Sequence, residues 1–243
     1  MTPPDLTAVR ADLAASGVLR VGLNLSNFLL VGTDPATGAY RGIVIDLARE
    51  LARRLGVPVE FTGYPSPGKV TEGARDGAWD VAFIAVEPAR AAEISFSSPY
   101  VEIQSTYLVL ADSPFQTITD IDRPGVRVAV SATSAYDLYL TRTLQHAQLV
   151  RAAGIDASYD LFVSEKLDVL AGLRPRLEKD VLRLPGARVL EGGFTSVQQA
   201  IGTPRKNAAG AAFLQQYAAD IKASGLVARV IAANRIEGVT VAA

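Results

Sequence analysis

Strand patterns alternate with helix patterns along this chain, and the alternation runs through two complete cycles. In the first cycle an amphipathic helix is predicted over 43–55, where apolar residues recur at four-residue steps and Gly56 supplies a stop, and the apolar strand 80–86 follows. A second cycle begins with a strand at 127–130 and ends in the apolar strand 167–172. Buried strands that alternate with helices predict an α/β fold with parallel sheets.

Two extended segments flank the second cycle. Residues 105–110 precede it and residues 197–202 follow it. Crossings on both sides of a complete α/β unit predict that a second lobe is inserted into the first and that the two crossing strands form a hinge. We therefore predict a discontinuous first lobe at 1–106 and 202–243 and an inserted lobe at 107–201. The ligand is expected in the cleft between the lobes, which would close about the hinge.

The composition of the 243 residues excludes several function classes. The 24 basic and 25 acidic side chains are spread without blocks, so we expect no nucleic acid and no anionic membrane surface as partner. The absence of cysteine excludes disulfides and thiolate chemistry, and the single histidine, His146, argues against a histidine-rich metal centre. We predict no metal and no cofactor. His146 is expected on the surface near the end of a helix over 135–146, where it complements the helix C-terminus.

One arginine stands out in the segment EPARAAEISFSSPY, residues 87–100. Arg90 follows a proline turn, and its planar fork is suited to a carboxylate while backbone N–H groups of the turn add anion affinity. The segment therefore predicts capture of a small anionic molecule. The alternative is a structural salt bridge between Arg90 and either Glu87 or Glu93.

Seven segments in a fixed order carry a resemblance to a known family. They are LRVG, GIVIDLARELARRLGVPVEF, GAWDVAFIAV, the EPAR and FSSPY block, RPGVRVAV, KLDVL and KASGLVARVI. From Leu19 to about Ile236 the chain resembles the type II periplasmic solute-binding proteins of the polar amino-acid family, which serve ABC transporters. The resemblance implies a two-lobed type II fold and reversible binding without chemistry. It also implies docking of the closed form on a membrane permease.

The resemblance implies a monomeric binding protein for a small carboxylate-bearing solute, either an amino acid or a related organic acid. Such a protein works in the periplasm. The first 17 residues lack a basic segment followed by an apolar core, so they are not predicted to be an export signal. We expect a periplasmic protein whose signal was removed, or a cytoplasmic one if Met1 is the native start.

The residues for the ligand's α-carboxylate match the family pattern. Arg90 corresponds to the arginine that clamps this group. Thr133 and Ser134, in SATSAY, correspond to a hydroxyl and backbone N–H site for the same carboxylate at a helix start. The alternative for Ser134 is a helix N-cap.

The residue for the ligand's α-ammonium group departs from the family pattern. The family has an aspartate there, and the count from Asp168 places Leu173 at this position, followed by Arg174. A buried ammonium group without an anionic partner is strongly unfavourable, so an α-amino acid held in the ordinary way is not predicted. Arg174 in the cleft would favour a second acidic group on the ligand. Its alternative is a solvated residue at a helix start, with Pro175 in the first turn.

Four further residues are candidates for ligand contact. Asn24 and Asn27 follow the first strand, and ligands gather at the carboxyl ends of parallel strands, although both residues also suit a turn. Glu87 is either an anion for a cationic ligand group or the partner that orients Arg90. Gln199 alternates with its neighbour along the second crossing strand, so one of the two side chains is expected to face the cleft.

Two other function classes share this scaffold. The first is a dehydratase of prephenate-like acids, in which a carboxylic acid in the cleft transfers a proton; Glu87 is the candidate. Such an acid must stay protonated to act as a general acid, and the positive charge of Arg90 favours the ionised form. The second is a ligand-sensing module. Binding of a small carboxylate is the leading prediction.

Overall fold

A computed structural model describes residues 6–243, and the chain packs into two compact units. The first unit comprises the residues up to Glu102 together with Gln198–Ala243, and the second comprises Ile103–Val197. The second unit is therefore an insertion in the sequence of the first. Residues 1–5, which the sequence assigns to the first lobe, lie outside the described residues.

The chain passes from one unit to the other within two long strands. These are β7 (Val101–Leu110) and β12 (Thr195–Pro204), and they contain the two crossings predicted at 105–110 and 197–202. The sequence placed the unit boundaries at residues 106 and 202, a few residues beyond those of the structure.

The first unit is built on a mixed sheet. Its parallel strands β4 (Val59–Tyr64), β1 (Leu19–Asn24) and β5 (Val81–Ala85) lie side by side in that order, and residues of β12 pair antiparallel with β5. The other elements of this unit are α1 (Leu6–Leu13), β2 (Gly32–Thr33), β3 (Tyr40–Arg41), α2 (Ile43–Leu55), α3 (Pro67–Arg75), β6 (Ile94–Phe96), α7 (Ala208–Ala223), α8 (Leu226–Ala233) and β13 (Thr240–Val241).

The helix predicted over 43–55 is confirmed as α2, and two glycines define its ends. Gly42 has a φ of 118°, and a Cβ there would lie 2.6 Å from the carbonyl oxygen of Leu30, so only glycine allows the helix to start against this loop. Gly56 ends the helix in the left-handed conformation at a φ of 65°. The apolar face of α2 is fully buried against the sheet.

One carboxylate on α2 links stability to pH. Glu50 accepts hydrogen bonds from Arg53 and Arg54, and mainly the Arg53 contact lowers the pKa of Glu50 from 4.5 to about 2. A carboxyl group whose pKa is depressed by folding stabilises the protein above its unfolded pKa, and this contribution is lost as the pH falls toward the folded value. The wild-type free energy of unfolding should therefore drop between about pH 4.5 and pH 2 partly through Glu50.

Glu50→Gln should flatten that pH dependence. The measurement is urea unfolding of both proteins at pH 7, 4, 3 and 2.5. The fall in the free energy of unfolding from pH 7 to pH 2.5 is then compared between the two proteins. Equal losses in the wild type and the variant would contradict the assigned role of Glu50.

The second unit has a sheet of its own. Residues of β7 pair antiparallel with β10 (Val169–Leu173), β10 pairs parallel with β8 (Arg127–Ser131), and β8 pairs parallel with β9 (Gln148–Ala152). The remaining elements are a 3₁₀ turn (Ile118–Asp120), α4 (Ala135–Thr143), α5 (Ile155–Ser164), α6 (Arg174–Arg183) and β11 (Ala187–Val189). The core of the unit lies between α5, α6 and this sheet.

The helix predicted over 135–146 ends earlier than expected. Helix α4 stops at Thr143, and Leu144 is extended. The carboxylate of Asp122 accepts the backbone N–H groups of His146 and its two neighbours, which offers them an acceptor outside the helix. His146 is exposed as predicted, but its proposed role at the helix C-terminus is wrong. Among residues 6–243, no helix combines the length and apolarity needed to cross a membrane.

Candidate functional site

The loops after two adjacent strands carry four of the predicted site residues. Strands β1 and β5 pair in parallel, with Leu23 opposite Phe83, so both end at the same edge of the first unit's sheet. Loop 24–31 begins at Asn24, the last residue of β1, and also holds Asn27. Loop 86–93 follows β5 and holds Glu87 and Arg90. The carboxyl ends of parallel strands are the usual ligand position in open α/β sheets.

Arg90 is a buried cation at this edge. The residue is only 3% exposed, and its Nη1 donates a hydrogen bond to the carbonyl oxygen of Ala85 at 2.7 Å. Burial lowers the pKa of Arg90 to about 10, while the negative charge of Glu87 acts in the opposite direction. Because burial disfavours the charged form, an anion that approaches this guanidinium is stabilising. Arg90 is therefore suited to receive a carboxylate.

The two acidic residues beside Arg90 differ in what they contact. Glu93 accepts a hydrogen bond from Nε of Arg75 at 3.1 Å, so its carboxylate belongs to a surface ion pair. Glu87 is buried, and its carbonyl oxygen accepts the N–H groups of Arg90 and Ala91, which closes the turn. Glu87 is the acid that affects the charge of Arg90. Both predicted roles of Glu87 stay open.

Gln199 lies next to the anchor of Arg90. It is 4% exposed and sits opposite Ala85 in the β5–β12 pair, so the two side chains occupy the same face of the sheet. Its neighbour Gln198 donates instead to the carboxylate of Glu102 at 2.6 Å. The structure thus brings Gln199, and not Gln198, to the strand position that holds Arg90.

The two asparagines of loop 24–31 have different environments. Oδ1 of Asn24 accepts hydrogen bonds from the N–H and hydroxyl groups of Ser26, which is the turn role considered from the sequence. Asn27 is 6% exposed, and its Oδ1 has no hydrogen-bond partner among the described residues. Asn27 therefore carries an unmet acceptor at the same edge as Arg90.

In the second unit, the start of α4 holds Thr133 and Ser134. Ser134 is the N-cap, and its hydroxyl accepts the N–H of Asp137 at 3.0 Å. Thr133 has a left-handed backbone with a φ of 61°, and its N–H donates to Oδ2 of Asp137 at 2.8 Å. The N-cap alternative for Ser134 is confirmed, and ligand contact by Thr133 and Ser134 stays a prediction.

Asp137 was missed by the sequence reasoning. It is 3% exposed, and besides the N–H of Thr133 its carboxylate accepts a hydrogen bond from Nε of Arg151 at 2.9 Å. The chain's own carboxylate therefore occupies the helix start where a ligand carboxylate was predicted. The spacing of Ser134 and Asp137 is that of a capping box with aspartate in place of the usual glutamate, and this signal was available in the sequence.

The residues at the predicted amine position are apolar or engaged. Leu173 ends β10, is 5% exposed and lies opposite Ser105 of β7. Arg174 begins α6, and its guanidinium donates to the side chain of Gln104 and to the carbonyl oxygens of Leu190 and Gly192. Arg174 therefore ties the start of α6 to two neighbouring segments. The predicted helix start with Pro175 in the first turn is confirmed, but the side chain of Arg174 is engaged by the protein and is not simply solvated. Contact with a second acidic ligand group stays a prediction.

Within residues 6–243, no group of three or more acidic or histidine side chains is arranged to hold a metal ion. The buried charged residues of loop 86–93 in the first unit are Arg90 and Glu87, and the guanidinium of Arg90 can bind a small anion. In the second unit, Asp137 forms an ion pair with Arg151.

Comparison with known proteins identifies the family of the chain. The model of the bacterial extracellular solute-binding proteins, family 3, matches residues 19–233. Cyclohexadienyl dehydratase from Pseudomonas aeruginosa is 26% identical over 178 residues, which cover 68% of this chain and 65% of the dehydratase. The match thus spans less than two thirds of that relative's length.

Solved structures show the same architecture. A mutant of ArgBP from T. maritima has a TM-score of 0.77 at 22% identity, over 95% of this chain and 100% of that one. AbpA from Streptococcus pneumoniae, an amino acid ABC transporter substrate-binding protein bound to L-arginine, has a TM-score of 0.76 at 20% identity, over 91% of this chain and 96% of that one. The predicted type II periplasmic-binding fold is confirmed.

Proposed function

The chain belongs to the bacterial extracellular solute-binding proteins, family 3, and from this membership we propose that it binds a small organic carboxylate reversibly for uptake by an ABC transporter. The observation that carries the proposal is the buried guanidinium of Arg90 at the carboxyl end of β5. The similarity of the chain to AbpA, which is described with bound L-arginine, supports an amino acid or a related acid as the ligand class.

The geometry around Arg90 supports a carboxylate in particular. The bond from Nη1 to Ala85 and the burial of the residue restrain the guanidinium, and its planar fork favours a partner with two coplanar oxygens. Burial means that the ligand contact forms away from water, where a charge-assisted hydrogen bond is strongest. Lysine, which offers a point charge, would not reproduce this contact.

Arg90→Ala should lower the affinity for the bound carboxylate at least about tenfold, which corresponds to about 1.4 kcal/mol. Arg90→Lys should give an intermediate loss because it keeps the charge but not the fork. The measurement is isothermal titration calorimetry with the best binder from a panel of L-arginine, L-aspartate, L-malate, succinate and prephenate.

Arg75→Ala is the matched control for that experiment. Arg75 belongs to the same unit but is exposed and pairs with Glu93, so its removal should leave the affinity unchanged. Circular dichroism of each variant checks that it is folded. Wild-type affinity in folded Arg90→Ala and Arg90→Lys proteins would sink the proposal.

We further propose that the protein acts outside the cytoplasm, as the name of its family indicates. Deletion of the gene should abolish uptake of the radiolabelled acid that binds best. A plasmid with the wild-type gene should restore uptake, whereas Arg90→Ala should not. Fractionation of the cells shows the compartment, and exclusively cytoplasmic protein would contradict this role.

The similarity to cyclohexadienyl dehydratase makes enzymatic activity the second candidate. Glu87 is the buried acidic residue near Arg90, and its charge acts on the pKa of Arg90. We propose binding without turnover because the family of the chain is one of solute-binding proteins. Incubation with prephenate, followed by chromatography, should show no product; turnover that is lost in Glu87→Gln would establish the enzyme instead.

A further inference from the structure

Asn27 is a buried amide with an unmet hydrogen-bond acceptor. Oδ1 has no partner among the described residues, although the residue is only 6% exposed. A buried acceptor without a donor is unfavourable by roughly 1–3 kcal/mol relative to a satisfied one. A donor from outside the chain is one physical reason for such a group to persist.

The loop holds Asn27 in a defined position. The N–H of Asn27 donates to the carbonyl oxygen of Asn24, and its carbonyl oxygen accepts the N–H groups of Leu30 and Val31. Leu30 and Val31 are buried, and the carbonyl oxygen of Leu30 accepts the N–H of Val44 at the start of α2. The unmet acceptor is therefore anchored and does not lie on a mobile tip.

The buried asparagine at the other end of the unit shows the contrast. Nδ2 of Asn207 donates to the carbonyl oxygen of Asp12 at 3.0 Å and to the hydroxyl of Thr203 at 2.9 Å. Asn207 thus has the partners that a structural amide requires. Asn27 is at the strand-end edge shared with Arg90, where ligands of this fold class gather.

The single acceptor restricts the chemistry of its partner. An ammonium group brings three donors and a charge, and it needs an acid beside it when it is buried. No acidic residue occurs in loop 24–31, and the charge of Glu87, the buried acid after β5, already acts on Arg90. A hydroxyl group brings one proton and no charge, which matches one unmet oxygen.

We propose that the ligand is a hydroxy acid, with its carboxylate on Arg90 and its hydroxyl donating to Oδ1 of Asn27. The inference rests on the proposed binding function and names the ligand class for that site. Asn27 then determines specificity between acids of the same size that differ only in one substituent.

Two triplets of acids test this directly by calorimetry. Propionate, L-lactate and L-alanine differ only in hydrogen, hydroxyl or ammonium on one carbon, and succinate, L-malate and L-aspartate repeat the comparison with a second carboxylate. We expect the hydroxy acid to bind most tightly in at least one triplet, by about tenfold or more over the unsubstituted acid. Asn27→Leu should remove this preference and leave the affinity for the unsubstituted acid unchanged.

The control variant is Asn207→Leu. It breaks satisfied hydrogen bonds, so it should lower the melting temperature and keep the ligand preference. Asn27→Leu removes an unmet acceptor, so it should not lower the melting temperature of the ligand-free protein. A fall equal to that of Asn207→Leu would show a structural role and overturn the inference.

The binding outcomes distinguish a failure of the hydroxy-acid inference from a failure of the proposed binding function. Arg90-dependent binding with L-alanine or L-aspartate tightest, or with equal affinities within each triplet, overturns the hydroxy-acid inference alone. The same holds if Asn27→Leu weakens all members of a triplet equally. Binding by none of the six acids, with Arg90-dependent binding of L-arginine or prephenate, also overturns the inference alone. Binding that Arg90→Ala does not change overturns the inference together with the proposed function.

Discussion

Asp180→Ala should lower the free energy of unfolding by about 3–5 kcal/mol, the cost expected when one member of a buried ion pair is removed. Asp180 is 1% exposed, and its carboxylate accepts hydrogen bonds from Arg176 at 2.9 Å and Arg183 at 3.2 Å. Burial raises the pKa of Asp180 although both arginines act against it. Without the carboxylate of Asp180, the largely buried Arg176 loses its buried partner.

The control for this variant uses the same arginine. Asp156 also accepts a hydrogen bond from Arg176, at 2.7 Å, but its side chain is 81% exposed. Asp156→Ala should therefore cost less than about 1 kcal/mol. Urea unfolding at pH 7, followed by circular dichroism, measures both. Equal losses in the two variants would show that burial does not decide the strength of this network.

Asp137→Ala should lower the free energy of unfolding by about 3 kcal/mol. The variant removes the acceptor for the N–H of Thr133 and the buried partner of Arg151 at the same time. Thr133 then keeps its left-handed backbone without the bond that stabilises it. The start of α4 also loses the negative charge that complements the helix dipole.

Arg151→Ala separates the two contributions of Asp137. The side chain of Arg151 is 43% exposed, so its loss should cost only about 1 kcal/mol while the bond from Thr133 remains. Unfolding in urea gives both values. The assignment fails if the arginine variant is the less stable of the two.

The helices with a strong apolar period were predictable because local sequence carries their signals. Helix α2 has the period, and Gly56 has the left-handed conformation that a glycine stop implies. Helix α4 had a weaker signal, and its end was misplaced because Asp122, distant in sequence, supplies acceptors to the residues after Leu144. A bond of this kind cannot be found from a local pattern.

The site residues also differ in whether a local sequence signal or a distant contact determines their role. Arg90 was singled out because a proline turn and a family pattern surround it. The structure shows that Arg90 is buried, and its contact with a ligand stays a prediction. Asp137 carries a local capping signal that the sequence offered, whereas its bond with Arg151, on a different element, has no local signal. Arg174 was expected at a helix start, and only the fold shows that its donors reach Gln104 and Leu190.

The sequence by itself determined the α/β cycles, the inserted second unit and the family, because strand and helix periods and the order of motifs are local properties of the chain. Tertiary structure decided which polar groups are satisfied. Asn24 and Asn27 are three residues apart in one loop, yet one closes a turn and the other keeps a buried acceptor without a partner among the described residues. That difference depends on which atoms the fold brings within hydrogen-bonding distance, and such distances are set only when the chain packs.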